Sequence, residues 1–219
     1  MKKIFTYVMM AAVALVAMVG CNKVTTEGFT NITYYPKFEL QGDEFIIHQV
    51  GTSFVDPGCK VTLDGELVEP EVSLTVDGNE AGIYDIEYSY TNADGFASSV
   101  SRRVVVCASA DEYIATDQSQ SGKSTYAGEY SVTVYDFGNG NFYFSDLLGG
   151  WYAQGRGYGD NYNLEGEISS SPVKHVWSYV AGWGDSASEV TGTYDASAGV
   201  FDLKINYADM PFTAKFTKK

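Results

Sequence analysis

The richest segment in ring and hydrogen-bonding side chains is residues 149–162. The aromatic rings of Trp151 and Tyr158 alternate there with the planar polar groups of Gln154 and Arg156. Flat rings stack on the apolar face of a sugar, and amide and guanidinium groups form directional hydrogen bonds with its hydroxyls. Glycines on both sides leave the guanidinium of Arg156 little hindered. The segment therefore predicts a glycan-binding site, and the alternative is an aromatic core with glycine-rich turns.

A second aromatic stretch, around Trp177 and Trp183, extends this prediction if it lies beside the first. The alternative is again a core, because strand alternation puts Val173, His175 and Trp177 on one face, as a buried stripe requires. Both interpretations stay open at the level of sequence. The predicted glycan-binding residues are Trp151, Tyr152, Gln154, Arg156, Tyr158, Asp160, Tyr162, Trp177 and Trp183.

Sequence patterns that are typical of catalytic or metal sites are missing. The two histidines, His48 and His175, fall in different predicted domains, so no histidine cluster forms a zinc site. The sequence has no Gly-x-Ser-x-Gly elbow, no phosphate-binding loop and no dinucleotide-binding fingerprint. We therefore predict no catalytic residue, no metal site and no cofactor. Because glycosidase carboxylates carry little sequence signature, a glycoside hydrolase stays open as a less favoured alternative.

Residues 1–20 have the three-part layout of a secretory signal, with two lysines near the start and an apolar stretch too short for a comfortable membrane span. The ending Met18-Val19-Gly20-Cys21 resembles the bacterial lipobox, with methionine where leucine is commonest. This resemblance implies that cleavage makes Cys21 the new N-terminus and that lipid on its sulfur holds the chain to a membrane. An ordinary secreted protein with an incidental Cys21 is the alternative.

The composition of the remaining chain indicates an all-β protein. Tyrosine (17), phenylalanine (12) and glycine (23) are abundant, and charged residues make up only 19%. Aromatic and β-branched runs broken by glycine, asparagine and aspartate are typical of strands and turns. The net charge of −14 argues against nucleic acid as a partner of the folded part.

Residues 35–107 contain short strands separated by turns, which is typical of an immunoglobulin-like sandwich. Residues 51–58 (GTSFVDPG), 82–88 (GIYDIEY) and 103–106 (RVVV) resemble motifs of the bacterial immunoglobulin-like repeats of surface proteins. That family commonly shows a G-x-x-F-x-D-P-G turn, a G-x-Y-x-I-x-Y strand and a terminal R-x-V-x-V strand. The resemblance implies a spacer or accessory domain without catalytic residues.

Two cysteines, Cys59 and Cys107, remain once Cys21 is assigned to lipid, and disulfides are permitted in an exported chain. In a sandwich of the resembled kind, the second strand begins and the last strand ends at the same pole, so these cysteines would meet across the two sheets. Such a disulfide would stabilise the fold by about 3–4 kcal/mol in the chain-entropy model. The alternative is two independent small apolar residues.

Residues 108–112 (ASADE) are predicted to be a linker, and residues 113–219 an aromatic-rich antiparallel domain. Short hairpin connections imply a meander that closes as a β-barrel or folds as a β-sandwich. Its composition resembles the C-terminal β domains of lipoproteins from gut anaerobes. The fold class is thus all-β, an immunoglobulin-like sandwich followed by an antiparallel β-barrel or β-sandwich domain. The strands predicted in this domain are 130–137, 141–145, 150–154, 162–168, 173–180, 189–194, 200–207 and 212–216.

Together these features predict a non-enzymatic lipoprotein, with a signal peptide over 1–20 and a lipidated tether over 21–34 that presents the last domain away from the membrane. This arrangement is similar to accessory lipoproteins that work beside the outer-membrane glycan importers of gut bacteria. The similarity implies a lipid anchor in the outer membrane, on its surface or periplasmic face, and a polysaccharide or an importer complex as partner. The alternative is a structural lipoprotein that docks on a larger outer-membrane complex.

Replacing Cys21 with serine tests the predicted anchor. We expect the wild-type protein to incorporate labelled palmitate and to sediment with membranes, because several acyl chains together give stable anchoring. The Cys21→Ser variant should lose the label and keep its signal peptide, whereas a Cys59→Ser control should still be labelled. Palmitate labelling that survives Cys21→Ser would contradict the prediction.

Overall fold

Fifteen strands and two one-turn helices make up the fold in the computed structural model, which describes residues 32–219. The predicted signal peptide over 1–20 and Cys21 lie outside the described residues, as does the predicted tether apart from its last residues. No helix within the described part of the chain is long and apolar enough to cross a membrane. The all-β prediction is confirmed.

The first seven strands form two sheets that face each other, as expected for an immunoglobulin-like sandwich. One sheet has three strands in the order β1-β3-β4, and the other has four in the order β2-β7-β6-β5. All pairs are antiparallel except β2 and β7, which run parallel. The strands are β1 (Lys37–Leu40), β2 (Phe45–Gln49), β3 (Cys59–Leu63), β4 (Glu66–Val68), β5 (Glu71–Val72), β6 (Gly82–Thr91) and β7 (Ala97–Cys107).

Strand alternation builds the core of this sandwich. Ile86 and Tyr88 of β6 are buried in it, together with Val104 and Val106 of β7. The intervening β6 residues are exposed, which is the period-two pattern of a half-buried strand. This part of the fold follows directly from the sequence pattern.

A fully buried arginine connects the turn at Asp56 to β6 and β7, the two longest strands of the sandwich. The Nη1 of Arg102 donates to the Asp56 carboxylate at 2.6 Å, and the Tyr88 hydroxyl donates to the same carboxylate at 2.6 and 2.7 Å. The Nε of Arg102 donates to the Asp43 carbonyl at 2.8 Å, and its Nη2 donates to the Gln41 carbonyl. A buried arginine needs such partners, because an unpaired charge in a core is very costly.

The sequence match put Arg103 at the start of the terminal motif, and the structure places Arg102 there instead. Arg102 lies on the same face of β7 as Val104 and Val106, which completes the R-x-V-x-V spacing inside the core. Arg103 points to the opposite face, where it meets carboxylates outside the sandwich. Because successive side chains of a strand point to opposite faces, Arg102 shares the core face with Val104 and Val106 and is the arginine that is buried.

The disulfide predicted between Cys59 and Cys107 does not form, since both thiols are free in this structure. Cys59 packs against the sandwich core, whereas Cys107 lies with Val105 on the other face of β7, in a separate apolar cluster. The prediction placed the two residues at the same pole but overlooked this alternation. Burial raises the pKa of the Cys107 thiol to about 11, as expected for an unreactive structural cysteine.

The last eight strands form one antiparallel sheet in the order β12-β11-β10-β9-β8-β15-β14-β13. The sheet curls into an almost closed barrel, and its two edge strands meet where the Ala187 N–H donates to the Ser178 hydroxyl at 2.8 Å. Aromatic and aliphatic side chains fill the interior. The strands are β8 (Ser109–Gln120), β9 (Tyr130–Asp136), β10 (Asn141–Phe144), β11 (Gly166–Ser170), β12 (Val173–Ser178), β13 (Ala187–Asp195), β14 (Val200–Tyr207) and β15 (Met210–Lys218).

Two predicted features of this region are wrong. The linker over 108–112 is absent, because β8 begins at Ser109 and only Ala108 separates it from β7. The strand predicted over 150–154 is instead a one-turn π-helix, Trp151–Gly155. The remaining predicted strands of the domain each overlap an observed one, although the boundaries differ by a few residues.

The outer face of β7 packs on the outside of the barrel, so the two domains share an apolar cluster. Val105 and Cys107 contact Tyr135 and Tyr143 in this domain interface. Arg103 strengthens the interface, since its guanidinium donates to Asp85 at 2.7 Å and to Glu165 at 2.6 Å. Residues 36–219 accordingly form one compact unit rather than a separate spacer and head.

Replacing Asp56 with asparagine tests the buried ion pair. We expect a loss of about 3–5 kcal/mol in the free energy of unfolding at pH 7, because Arg102 is left buried and unpaired. Asp85→Asn is the matched control, since its partner Arg103 is partly exposed, and it should cost about 1 kcal/mol or less. Urea denaturation of both variants measures the difference, and equal losses would contradict the assignment.

The same network predicts an acid-sensitive sandwich. Partial burial alone would raise the pKa of Asp56, but hydrogen bonds from Tyr88, the Gly58 N–H and Arg102 lower it below its ordinary value of 3.8. A carboxyl whose pKa is lowered by folding contributes its full stabilisation above the ordinary pKa and loses it as the pH falls further. Unfolding free energies measured from pH 5 to pH 2 should therefore fall more steeply for the wild type than for Asp56→Asn.

Candidate functional site

Five aromatic side chains and one arginine come together at one end of the barrel. They come from three separate segments of the chain. Four of the five rings form ring contacts at centroid distances between 4.9 and 6.3 Å, and the fifth ring contacts the arginine. We call this group the Arg156 cluster, and its members are Tyr126, Tyr152, Arg156, Tyr158, Tyr162 and Trp183.

A buried carboxylate shapes the loop that leads into the cluster. Asp146 accepts hydrogen bonds from the backbone N–H groups of Leu148 at 2.9 Å, Gly150 at 2.7 Å and Leu164 at 3.0 Å. Leu148 and Gly150 follow Asp146 closely in the chain, whereas Leu164 lies 18 residues later. The Asp146 side chain therefore joins the two ends of the loop. Burial raises the pKa of Asp146 to about 6, although the three donors act in the opposite direction.

Glycine is required where this loop turns into the π-helix. Gly150 has a φ of 81°, and a Cβ there would lie 2.7 Å from the Tyr130 side chain. The π-helix that follows directs the rings of Trp151 and Tyr152 into the barrel and leaves Gln154 outside. Short π-helical turns are frequent at functional sites, where they redirect individual side chains.

Trp151 is part of the barrel core and presents no ring to solvent. Only 1% of it is exposed, and its ring packs edge-to-face against Tyr126 and Phe212. Trp151 is therefore a core residue, as the alternative interpretation of the sequence held, and it is not part of an exposed glycan-binding surface. Gln154 is exposed, but its amide donates to the Ser131 carbonyl at 3.1 Å.

Arg156 lies among three tyrosine rings. Its guanidinium carbon is 4.6 Å from the ring centroid of Tyr126, 5.3 Å from that of Tyr158 and 5.7 Å from that of Tyr152. A side-chain hydrogen bond with Tyr126 raises the pKa of Arg156, so the guanidinium is charged at any relevant pH. Cation–π contacts of this kind hold the charge in place and leave most of its N–H donors unused.

Trp183 and Tyr158 form the solvent-facing side of the cluster. Trp183 is 51% exposed and Tyr158 is 43% exposed. The indole contacts Tyr162 at 4.9 Å, Tyr158 at 5.7 Å and Tyr152 at 5.9 Å between ring centroids, each with tilted or edge-to-face geometry. The three tyrosines thus hold Trp183 in one orientation while a large part of its surface stays open.

The loop that carries Trp183 packs directly on a tyrosine ring. A Cβ on Gly182 would lie 2.8 Å from the Tyr162 ring, so only glycine permits this approach. The loop is closed by a hydrogen bond from the Ala181 N–H to the Asp185 carbonyl at 2.8 Å. Asp160 begins a one-turn 3-10 helix, Asp160–Tyr162, and its side chain is exposed.

Trp177 lies in the domain interface, away from the Arg156 cluster. Its indole donates to the Glu167 carboxylate at 2.6 Å and stacks on Tyr143 with 6.0 Å between ring centroids. The register of β11 and β12 skips Val176, because Ile168 pairs with His175 whereas Glu167 pairs with Trp177. This bulge reverses the alternation, so Val173 faces the barrel core and Trp177 faces outward.

The structure therefore brings together most of the residues singled out in the sequence and adds one. Tyr152, Arg156, Tyr158, Tyr162 and Trp183 meet in the cluster, and Asp160 lies in the adjoining turn. Tyr126 was not predicted. It lies in a polar loop after β8 without any periodic pattern, so no local signal pointed to it.

Two family models match the chain and meet at the end of β7. A bacterial surface protein immunoglobulin-like domain matches residues 38–106, and a model described as a C-terminal domain matches residues 105–218. The expectation of an immunoglobulin-like domain of the surface-protein type is confirmed.

Among solved structures, the chain is similar to the lipoprotein BT2262 from Bacteroides thetaiotaomicron. The two are 32% identical, the match covers 84% of this chain and 100% of that chain, and the TM-score is 0.54. No curated protein matches the chain at a significant level.

Replacing Asp146 with asparagine tests the loop closure. Folding raises the pKa of this carboxyl from its ordinary 3.8 to about 6, so the folded protein holds a proton that the unfolded chain releases between these values. The contribution of Asp146 to the stability should therefore fall as the pH rises through this window and level off above it. At pH 5, Asp146→Asn should cost about 1–3 kcal/mol, because its amide cannot accept from the Gly150 N–H.

Urea denaturation at several pH values from 4 to 7 measures both effects. The stability difference between the wild type and Asp146→Asn should change across this window, whereas the difference between the wild type and Asp77→Asn, a control at an exposed turn aspartate, should stay constant. A constant difference between the wild type and Asp146→Asn would contradict the raised pKa.

Proposed function

This chain belongs to the family of the lipoprotein BT2262 from Bacteroides thetaiotaomicron, and on that premise we propose a membrane-anchored, non-enzymatic surface lipoprotein that binds glycan through the Arg156 cluster. The observation that carries the glycan part is the exposure of Trp183 and Tyr158 beside the guanidinium of Arg156. Solvent-facing rings next to a planar hydrogen-bond donor are the groups that a sugar face and its hydroxyls require.

The rigidity of the rings supports this proposal. Three tyrosines fix the orientation of Trp183, so little side-chain freedom is lost when a ligand stacks on the indole. The exposed ring of Trp183 also contacts the exposed ring of Tyr158, so the two form a contiguous aromatic surface and not a single exposed side chain. Both arguments favour a prearranged binding surface over an incidental exposed tryptophan.

The polar groups of the cluster suit binding better than hydrolysis. Arg156 and the exposed Asp160 stand beside the rings, whereas glycoside hydrolysis requires two opposed carboxyls. Asp85 and Glu165 do lie near each other at the domain interface, but both are bound to Arg103. Burial alone would raise the pKa of Asp85, but hydrogen bonds from Arg103 and Tyr179 lower it, so this carboxyl is unsuited to general acid catalysis.

The proposed anchor is lipid on Cys21 in the outer membrane, and the proposed partners are a polysaccharide and an outer-membrane importer complex. Because residues 36–219 form one compact unit, the immunoglobulin-like domain would hold the barrel domain in a defined orientation rather than on a loose spacer. This arrangement would present the Arg156 cluster to polysaccharide in a consistent way.

Replacing Trp183 with alanine tests the binding surface. In affinity electrophoresis and calorimetry against a panel of polysaccharides, we expect Trp183→Ala to weaken binding roughly tenfold or more, equivalent to about 1.4 kcal/mol. Phe96→Ala is the matched control, because Phe96 is also half exposed, at 49%, but belongs to the immunoglobulin-like domain. Wild-type affinity in Trp183→Ala, or no binding of any polysaccharide by the wild type, would overturn the proposal.

A further inference from the structure

The three arginines of the chain differ in their partners. Arg102 is bound by Asp56, and Arg103 is bound by Asp85 and Glu165. Among the described residues, no carboxylate oxygen lies within 4.0 Å of the Arg156 guanidinium. With 28 acidic residues against 14 basic ones, carboxylates are plentiful, so their absence around this arginine is notable.

From this difference we infer that the Arg156 cluster recognises an acidic sugar, whose carboxylate or sulfate group occupies the open side of the guanidinium. The inference rests on the proposed function and names the class of glycan that the same site takes. The planar fork of arginine matches a carboxylate or sulfate through two parallel hydrogen bonds, and these charge-assisted bonds are stronger than those to a neutral hydroxyl.

The donors of Arg156 are available for this role. A guanidinium carries five N–H donors, and tyrosine faces stabilise its charge without accepting those donors as an oxygen does. The Tyr126 hydroxyl accepts at most one of these donors. The neighbouring amide of Gln154 already donates to a carbonyl, which leaves Arg156 as the only charged donor of the cluster.

The space beside Arg156 is also open. A Cβ added at Gly157 or Gly159 would meet no atom within 4 Å, so the backbone on either side of Tyr158 borders open space. An acid group on the guanidinium would bring its sugar ring next to Tyr158, whose partly exposed ring in turn contacts Trp183. One acidic monosaccharide would thus pair its acid group with Arg156 and place its ring against an aromatic side chain.

The net charge of −14 works against the binding of an acidic glycan. It repels a polyanion at long range, and physiological salt screens that repulsion beyond about 8 Å. Recognition must therefore come from the short-range contact at Arg156. The preference for acidic glycans should accordingly depend on this single residue.

Matched pairs of glycans test the inference with the full processed protein. Uronate-containing polysaccharides are compared with their carboxyl-reduced forms, and sulfated polysaccharides with their desulfated forms. We expect at least one acidic glycan to bind tenfold or more tightly than its neutral counterpart. The uronate and sulfate arms show which acid group the site takes.

Variants then assign the preference to one side chain. Arg156→Gln should abolish the difference between acidic and neutral forms, Arg156→Lys should keep part of it as a point charge, and Trp183→Ala should weaken both forms alike. Thermal unfolding of each variant confirms that the fold is retained. Lys123→Gln, a charge change in the same exposed loop region as Tyr126, is a control that should keep the preference.

The outcomes separate this inference from the proposed function. Equal binding of acidic and neutral glycans by the wild type, or a preference that survives Arg156→Gln, would overturn the acidic-sugar inference and leave glycan binding intact. No binding of any glycan, acidic or neutral, would overturn both.

Discussion

The second half of strand β7 is buried on both of its faces, and the arrangement of the two domains depends on this constraint. Arg102 and Val104 face the sandwich core, whereas Val105 and Cys107 face the outside of the barrel. A charged side chain on such a strand needs a partner on its own side, which Arg102 finds in Asp56. The chain passes from β7 to β8 through a single residue, so the sandwich and the barrel are joined by packing as well as by sequence.

The barrel supports the proposed binding surface through polar and steric constraints at a few positions. Asp146 closes the loop before the π-helix, and Gly150 and Gly182 permit contacts that any side chain would block. The rings around Arg156 are therefore held by rigid elements although they belong to loops. A binding site on loops of a rigid scaffold combines exposed groups with a fixed geometry, which is what ligand recognition requires.

Local patterns predicted the fold well, and they failed where one residue changes the alternation. The strand containing Ile86 and Tyr88 was predicted correctly, because its period of two is visible in the sequence. The bulge at Val176 turns Trp177 out of the core, and no local signal announces a bulge that depends on the partner strand. The segment 150–154 is a π-helix in a loop that Asp146 closes through a hydrogen bond from the remote Leu164, a contact that no local pattern reveals.

The sequence by itself determined the all-β class, the immunoglobulin-like motifs, the N-terminal signal pattern and the concentration of ligand-binding residue types around Arg156. These features rest on composition and short-range spacing, which do not depend on how distant segments meet. Only the tertiary structure decided that Trp151 is core, that Trp183 is exposed and that Cys59 and Cys107 lie in different clusters. The reason is physical, because burial and ring contacts depend on which strands become neighbours and on the face that each side chain takes.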